Sequence, residues 1–161
     1  MSSAFNVRTA LPSDAEGLEK LHKLAFADHW PKSAFEAMLN REQVFALGGL
    51  VNDIVEELSG FILIQVIADE AEILTLCVDP AVQQRGLGHL LLDVGCKRAS
   101  NAGALQIFLE VGEHNNPARK LYEKCGFERV GRRAAYYREA AQGGAADDAL
   151  VMRRVLTASQ L

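Results

Sequence analysis

The segment Gln83-Gln84-Arg85-Gly86-Leu87-Gly88 stands between the apolar run Ile73-Leu74-Thr75-Leu76-Cys77-Val78 and the apolar stretch Leu90-Leu91-Leu92-Asp93-Val94. A strand that stops at Asp79-Pro80 and re-enters as a helix through two glycines constrains the fold strongly. The first turn of a helix has backbone N–H groups with no partner inside the helix, and together with the helix dipole they face an anion. Two phosphate patterns can be tested directly: one needs four residues between its glycines and then Lys-Ser/Thr, the other a third close-packing glycine. Gly86-Leu87-Gly88-His89-Leu90-Leu91 meets neither. A Gly-x-Gly pair also serves ordinary helix ends, so the flanking sequence has to identify the ligand.

A length of 161 residues is enough to bury one core, and the expectation is a single domain over residues 1–161. With 49% hydrophobic and 24% charged residues the composition is that of a globular protein, and no apolar run approaches the ~18 residues of a membrane span. Met1 to Asn6 has neither the basic nor the apolar part of a secretion signal, so a cytoplasmic location without membrane contact is expected. Cys77, Cys96 and Cys125 are odd in number and widely spaced, which suggests neither a disulfide framework nor a metal site; all three read as small hydrophobes. A net charge of −4 argues against direct nucleic-acid binding and is compatible with a basic protein partner.

Periodicity places the remaining elements. Phe5 to Thr9 reads as a strand, and Pro12-Ser13-Asp14 starts a helix with Leu18, Leu21, Leu24 and Ala25 on one face. A second helix begins near Trp30-Pro31-Lys32-Ser33, with Phe35, Met38 and Leu39 sharing a face. Val44 to Val51 and Leu58 to Ile67 read as a hairpin, Glu72 to Val78 as a strand, Leu87 to Ala102 as a helix, Leu105 to Val111 as a strand and Pro117 to Lys124 as a helix. Two β-to-α passages in succession predict parallel neighbours. Phe127 to Tyr136 and Ala149 to Val155 complete the strands, joined by the Ala-, Gly- and Asp-rich stretch from Arg138 to Asp148.

Downstream of the glycine loop come Phe108-Leu109-Glu110-Val111, then Asn115-Asn116-Pro117-Ala118-Arg119-Lys120-Leu121-Tyr122, then Gly126-Phe127. A strand bearing Glu, Asn-x-x-Ala-x-x-Leu-Tyr and Gly-Phe, after Gln/Arg-x-x-Gly-x-Gly, resembles the GNAT family of N-acetyltransferases. Asp69-Glu70-Ala71-Glu72-Ile73, Tyr136-Tyr137 and Asp147-Asp148-Ala149-Leu150-Val151-Met152 are similar to its RimI-like branch, the ribosomal-protein-alanine N-acetyltransferases. The resemblance is strong over about Asp69 to Arg154 and loose before it, where Phe26, Trp30 and Phe35 carry it.

The resemblance implies an α/β (α+β) fold with a mixed, mostly antiparallel sheet, one splayed parallel pair and flanking helices, binding acetyl-CoA as co-substrate and no metal. Backbone groups of Leu76, Cys77 and Val78 would run along the pantetheine arm, and Gln84, Arg85, Gly86, Leu87, Gly88 and His89 would hold the pyrophosphate. Asn115 would reach the same arm, although its position also suits the N-cap of the helix that follows. An α-amine with pKa near 7.7–8.0 must lose a proton to attack a thioester; the resemblance makes Glu110 the acceptor of that proton, directly or across a water. The plain alternative for Glu110 is a strand-end carboxylate paired with a surface Lys or Arg. Tyr122 would protonate the departing thiolate, its alternative being a ring packed in the core. His89 and His114 read as surface or capping residues.

Tyr136, Tyr137 and the loop to Asp148 would line the acceptor channel, with Asp147 or Asp148 attracting a cationic peptide start. Gly112 and Arg138 depart from the branch's usual Arg and Pro, which bears on acceptor choice and not on the reaction. The leading expectation is therefore transfer of acetyl to the α-amine of an alanine-initiated, small-subunit ribosomal protein. A small-molecule amine or lysine acceptor, or a non-catalytic CoA-binding module, are the alternatives.

Overall fold

A computed structural model describes residues 4–52, 57–134 and 148–156. Strands β1 (Phe5–Ala10), β2 (Val44–Val51), β3 (Gly60–Ile67), β4 (Glu70–Val78), β5 (Gln106–Gly112), β6 (Glu128–Arg133) and β7 (Ala149–Val155) form one sheet in the order β1-β2-β3-β4-β5-β7-β6. Every adjacent pair is antiparallel except β4 with β5. Helices α1 (Ala15–Ala25), α2 (Lys32–Leu39), α3 (Leu87–Asn101) and α4 (Asn116–Lys124) flank it. The mostly antiparallel α/β sheet with one parallel pair is the predicted class. Among the described residues no helix is long and apolar enough to cross a membrane.

The two β-to-α passages end differently. The first gives the predicted parallel neighbour, β4 beside β5. The second does not, because β7 returns antiparallel and occupies the position next to β5, pairing with β5 on one side and with β6 on the other. Sheet alternation assigns the faces. Ile107, Leu109 and Val111 of β5 join Leu87, Leu91, Leu92 and Cys96 of α3 and Tyr122 of α4 in one core. On the other face Leu18 and Leu21 of α1 and Phe35 of α2 pack against Ala46, Phe61, Leu63 and Cys77, and this second core takes no residue from β5, β6 or β7. On α1 the buried positions are Ala15, Leu18, Leu21 and His22, so the predicted stripe turns: Leu24 is 54% exposed and His22 takes the inward place.

Three glycines let α3 approach the sheet. A Cβ on Gly49 would lie 2.4 Å from Leu87 Cδ1, and one on Gly95 would lie 2.8 Å from Ile64 Cδ1. A Cβ on Gly60 would stand 2.9 Å from the Cys77 carbonyl oxygen, a backbone atom that cannot rotate away. Gly60→Ala is therefore expected to destabilise by about 1–3 kcal/mol through overpacking. Gly131→Ala, whose Cβ meets Val151 at an ordinary 3.7 Å, should stay within about 0.5 kcal/mol. Urea titration of the two variants checks this; equal midpoints would remove the steric account of Gly60.

Candidate active site

β4 and β5 pair only from Glu70–Gln106 to Glu72–Phe108, after which β4 continues to Val78 and β5 to Gly112 without facing each other across a ladder. β4 stays bonded to β3, and β5 to β7, so the divergence opens a wedge rather than fraying the sheet. The Asp79 N–H donates to the Ser59 carbonyl, on the β3 side. By strand alternation Leu76 and Val78 then turn their backbone groups toward the wedge, while Cys77, opposite Phe61, turns toward β3. Of the three positions expected to meet an extended ligand arm, 76 and 78 have the better geometry. The Val78 carbonyl accepts from Gln83 Nε2 at 3.1 Å, so a side chain of the glycine loop already reaches this edge.

At the mouth of the wedge the loop turns through Gln84 (φ 63°) and Gly86 (φ 96°), both left-handed. Gly86 suits this conformation; Gln84 adopts it at a cost of about 1–2 kcal/mol. Gly86 caps α3, no side chain caps it, and the first helical bond runs from Leu90 N–H to the Gly86 carbonyl. Among the described residues the N–H groups of Leu87, Gly88 and His89 therefore make no hydrogen bond, which is the donor set an anion requires. A Cβ on Gly88 would meet Leu121 of α4 at 3.1 Å, so Gly88 sets the α3–α4 contact. Arg85 lies with Cζ 5.5 Å from the Phe5 ring centroid, a cation–π contact that holds it at the loop's rim. His89 Nδ1 lies 3.3 Å from Cys125 Sγ, and Asn115 Oδ1 accepts from Ala118 N–H at 3.3 Å as the N-cap of α4.

Glu110 and Tyr122 lie on opposite faces of the sheet. Tyr122 is buried beside Phe127, with ring centroids 5.9 Å apart. Its hydroxyl makes no hydrogen bond among the described residues, and the residue keeps 9% of its surface exposed. Burial pushes this phenol up to about 12, so it keeps its proton at any physiological pH. Glu110 points to the other face and lines a cavity of about 590 Å³ with Gln65, Glu72, Phe108 and Val151. Its two oxygens lie 3.1 and 3.4 Å from Arg133 Nη1, so the plain expectation of a paired strand-end carboxylate also holds. Asp148 does not stand ready for a cationic ligand: its carboxylate is bonded to Arg132 at 2.9 Å, which also holds Glu113. Tyr136, Tyr137, Arg138 and Asp147 lie outside the described residues.

Periodicity did not single out His22. It is 3% exposed, stacks on Trp30 (centroids 4.7 Å) and meets Phe26 and Phe35, while its Nδ1 accepts the Trp30 N–H at 3.0 Å. Burial, then His29, holds its pKa down to about 4 against an ordinary 6.5. The unfolded chain therefore binds more protons between those values. The contribution is full above about pH 6.5 and is lost as pH falls toward 4, amounting to about 2 kcal/mol between pH 7 and 5. His22→Gln, which keeps an acceptor for Trp30, should flatten that slope in urea titrations; an unchanged slope would place the acid sensitivity elsewhere.

A family model described as "Acetyltransferase (GNAT) family" matches residues 15–127, which takes in α1, the wedge strands, the glycine loop, α4 and Phe127. The chain belongs to the GNAT acetyltransferase family. It is 37% identical over 97 residues to the [ribosomal protein bS18]-alanine N-acetyltransferase of Salmonella typhimurium, a match covering 60% of this chain and 64% of that enzyme. Against the protein of the same name from Haemophilus influenzae it is 31% identical over 141 residues, 86% of this chain and 92% of the relative. The crystal structure of the ribosomal-protein-S18-alanine N-acetyltransferase from Escherichia coli superposes with a TM-score of 0.83 at 26% identity, covering 95% of this chain and 94% of that one. The wedge and the uncapped α3 are thus features of a GNAT domain.

Proposed function

We propose that this chain, as one GNAT domain over residues 1–161, is an acetyl-CoA-dependent N-terminal protein acetyltransferase. Its acceptor would be the α-amine of an alanine-initiated protein, in the first place a small-subunit ribosomal protein. The observation that carries the reaction type is the set of free N–H groups at Leu87, Gly88 and His89 beside the wedge, with Glu110 lining a cavity on one face of the sheet and Tyr122 packed on the other. The Salmonella, Haemophilus and Escherichia relatives, named as alanine N-acetyltransferases of a ribosomal protein, support the acceptor.

The chain's residues fit acetyl-CoA. The Leu87, Gly88 and His89 N–H groups would take the pyrophosphate with Gln84, Arg85 and Gly86, and the backbone of Leu76 and Val78, with Cys77 between them, would run beside the pantetheine arm next to Asn115. Bound there, the thioester supplies the acetyl group. Glu110 takes a proton from the acceptor's ammonium, directly or across one water, so that the neutral amine can form the new C–N bond. Tyr122 would donate a hydrogen bond to the sulfur as the C–S bond breaks, and the second proton of the attacking nitrogen would go to the departing thiolate. The wedge orients the two reactants, and such positioning supplies a large part of the acceleration. Tyr136 and Tyr137 would contribute to acceptor binding.

The test is acetyl transfer across peptides that differ only in their first residues, with a lysine-containing peptide whose α-amine is blocked as comparison. The alanine-initiated peptide should have the highest kcat/KM. Activity confined to the blocked lysine peptide would overturn the assignment, as would unchanged acetylation of every alanine-initiated ribosomal protein in a deletion strain.

A further inference from the structure

β6 is hard to explain by burial. Its six residues, Glu128-Arg129-Val130-Gly131-Arg132-Arg133, include none that is buried, yet the strand pairs along the outer edge of β7. Charges on an edge strand discourage edge-to-edge aggregation, but that role needs no particular partner, and Arg133 has one. Register explains the reach. Arg133 stands opposite Ala149, which stands opposite Gly112 of β5, and Gly131 stands opposite Val151, which stands opposite Glu110. Arg133 and Gly131 therefore share the face of Glu110, and the guanidinium crosses β7 diagonally to bring Nη1 3.1 and 3.4 Å from both Glu110 oxygens. Arg132, on the alternate face, is bonded to Glu113 and Asp148. Among the described residues Arg133 is the one cation bonded to Glu110, and its side chain is 72% exposed.

Resting on Glu110 as the proton acceptor, we propose that Arg133 is a positioning residue: the exchangeable counter-ion of Glu110, displaced by the acceptor's ammonium and left beside it. Before the acceptor arrives, Arg133 is bonded to both oxygens of the carboxylate. When the ammonium takes its place on Glu110, the displaced guanidinium remains tethered within a few ångströms. Left nearer the ammonium than the carboxylate it has given up, the guanidinium repels the one more than it attracts the other, so the proton passes more readily to Glu110. Without Arg133 the ammonium would form an uncontested ion pair with Glu110, bound more tightly and deprotonated less readily. The bound ground state gains and the step after it slows.

The predicted signature is opposite to that of a damaged site. In Arg133→Ala, calorimetry with CoA present should show an alanine-initiated peptide bound about 3–10-fold more tightly, while kcat for that peptide falls about tenfold, the effect of one pKa unit. Arg133→Lys, which keeps the charge, should recover kcat to within about threefold. The N-acetylated form of the same peptide, which has no ammonium, should bind both proteins equally. In a Glu110→Gln background, removal of Arg133 should no longer tighten the free-amine peptide. Weaker or unchanged peptide binding in Arg133→Ala overturns the exchange, as does tightening that persists with Glu110→Gln or extends to the acetylated peptide. If Glu110→Gln itself keeps full turnover, the base assignment falls and the exchange with it. If Glu110→Gln is inactive and Arg133→Ala weakens binding, only the exchange falls.

Discussion

Glu110→Gln is expected to lower kcat for an alanine-initiated peptide by about 10²–10⁴-fold while acetyl-CoA affinity stays within about twofold, as read by steady-state kinetics and calorimetry. Gln keeps the size of Glu but cannot take up a proton. Its side chain lies on the cavity face, opposite α3, so the N–H groups of Leu87, Gly88 and His89 do not feel the change. Stability should move little, because the lost ion pair with Arg133 is solvent-exposed and such pairs contribute under about 1 kcal/mol. A loss of activity matched by a loss of cofactor binding would make Glu110 structural. Retention of turnover would leave the amine to solvent water and remove the base from the mechanism.

What the sequence revealed of this site follows from the range of the interactions concerned. The strand ending at Val78, the glycine turn and α3 are local, and periodicity with Gly86 and Gly88 suffices to place them. Asn115 as N-cap and the burial of Tyr122 follow from their helix in the same way. The insertion of β7 between β5 and β6 does not, since the antiparallel register of residues some 40 positions apart leaves no local trace. His22 was missed for a similar reason. On a short amphipathic helix a lone histidine reads as polar surface, and the rings that bury it, Trp30 and Phe35, belong to the next loop and helix. Gly49 and Gly60 read as strand residues of poor propensity; only the seat of Leu87 against them explains why no side chain fits there. Arg133 lay inside a segment read simply as strand, and its meaning depends on a partner two strands away.

Tyr122→Phe should separate function from stability, with kcat falling about 10–10³-fold while the stability of the unliganded protein stays within about 1 kcal/mol. The second half follows because Phe keeps the ring that packs against Phe127. The first half follows from the hydroxyl that Phe removes. A phenol held at about 12 is fully loaded at neutral pH, but passing its proton outright to a thiolate whose thiol has a pKa near 8.5 is uphill by more than three units. Tyr122 therefore acts chiefly as a preorganised hydrogen-bond donor to the sulfur as charge develops there, and loss of one such donor costs about 10²–10³-fold in kcat at the upper end. Thermal denaturation beside steady-state kinetics decides the point. A variant both less stable and fully active would return Tyr122 to the core as a packing residue.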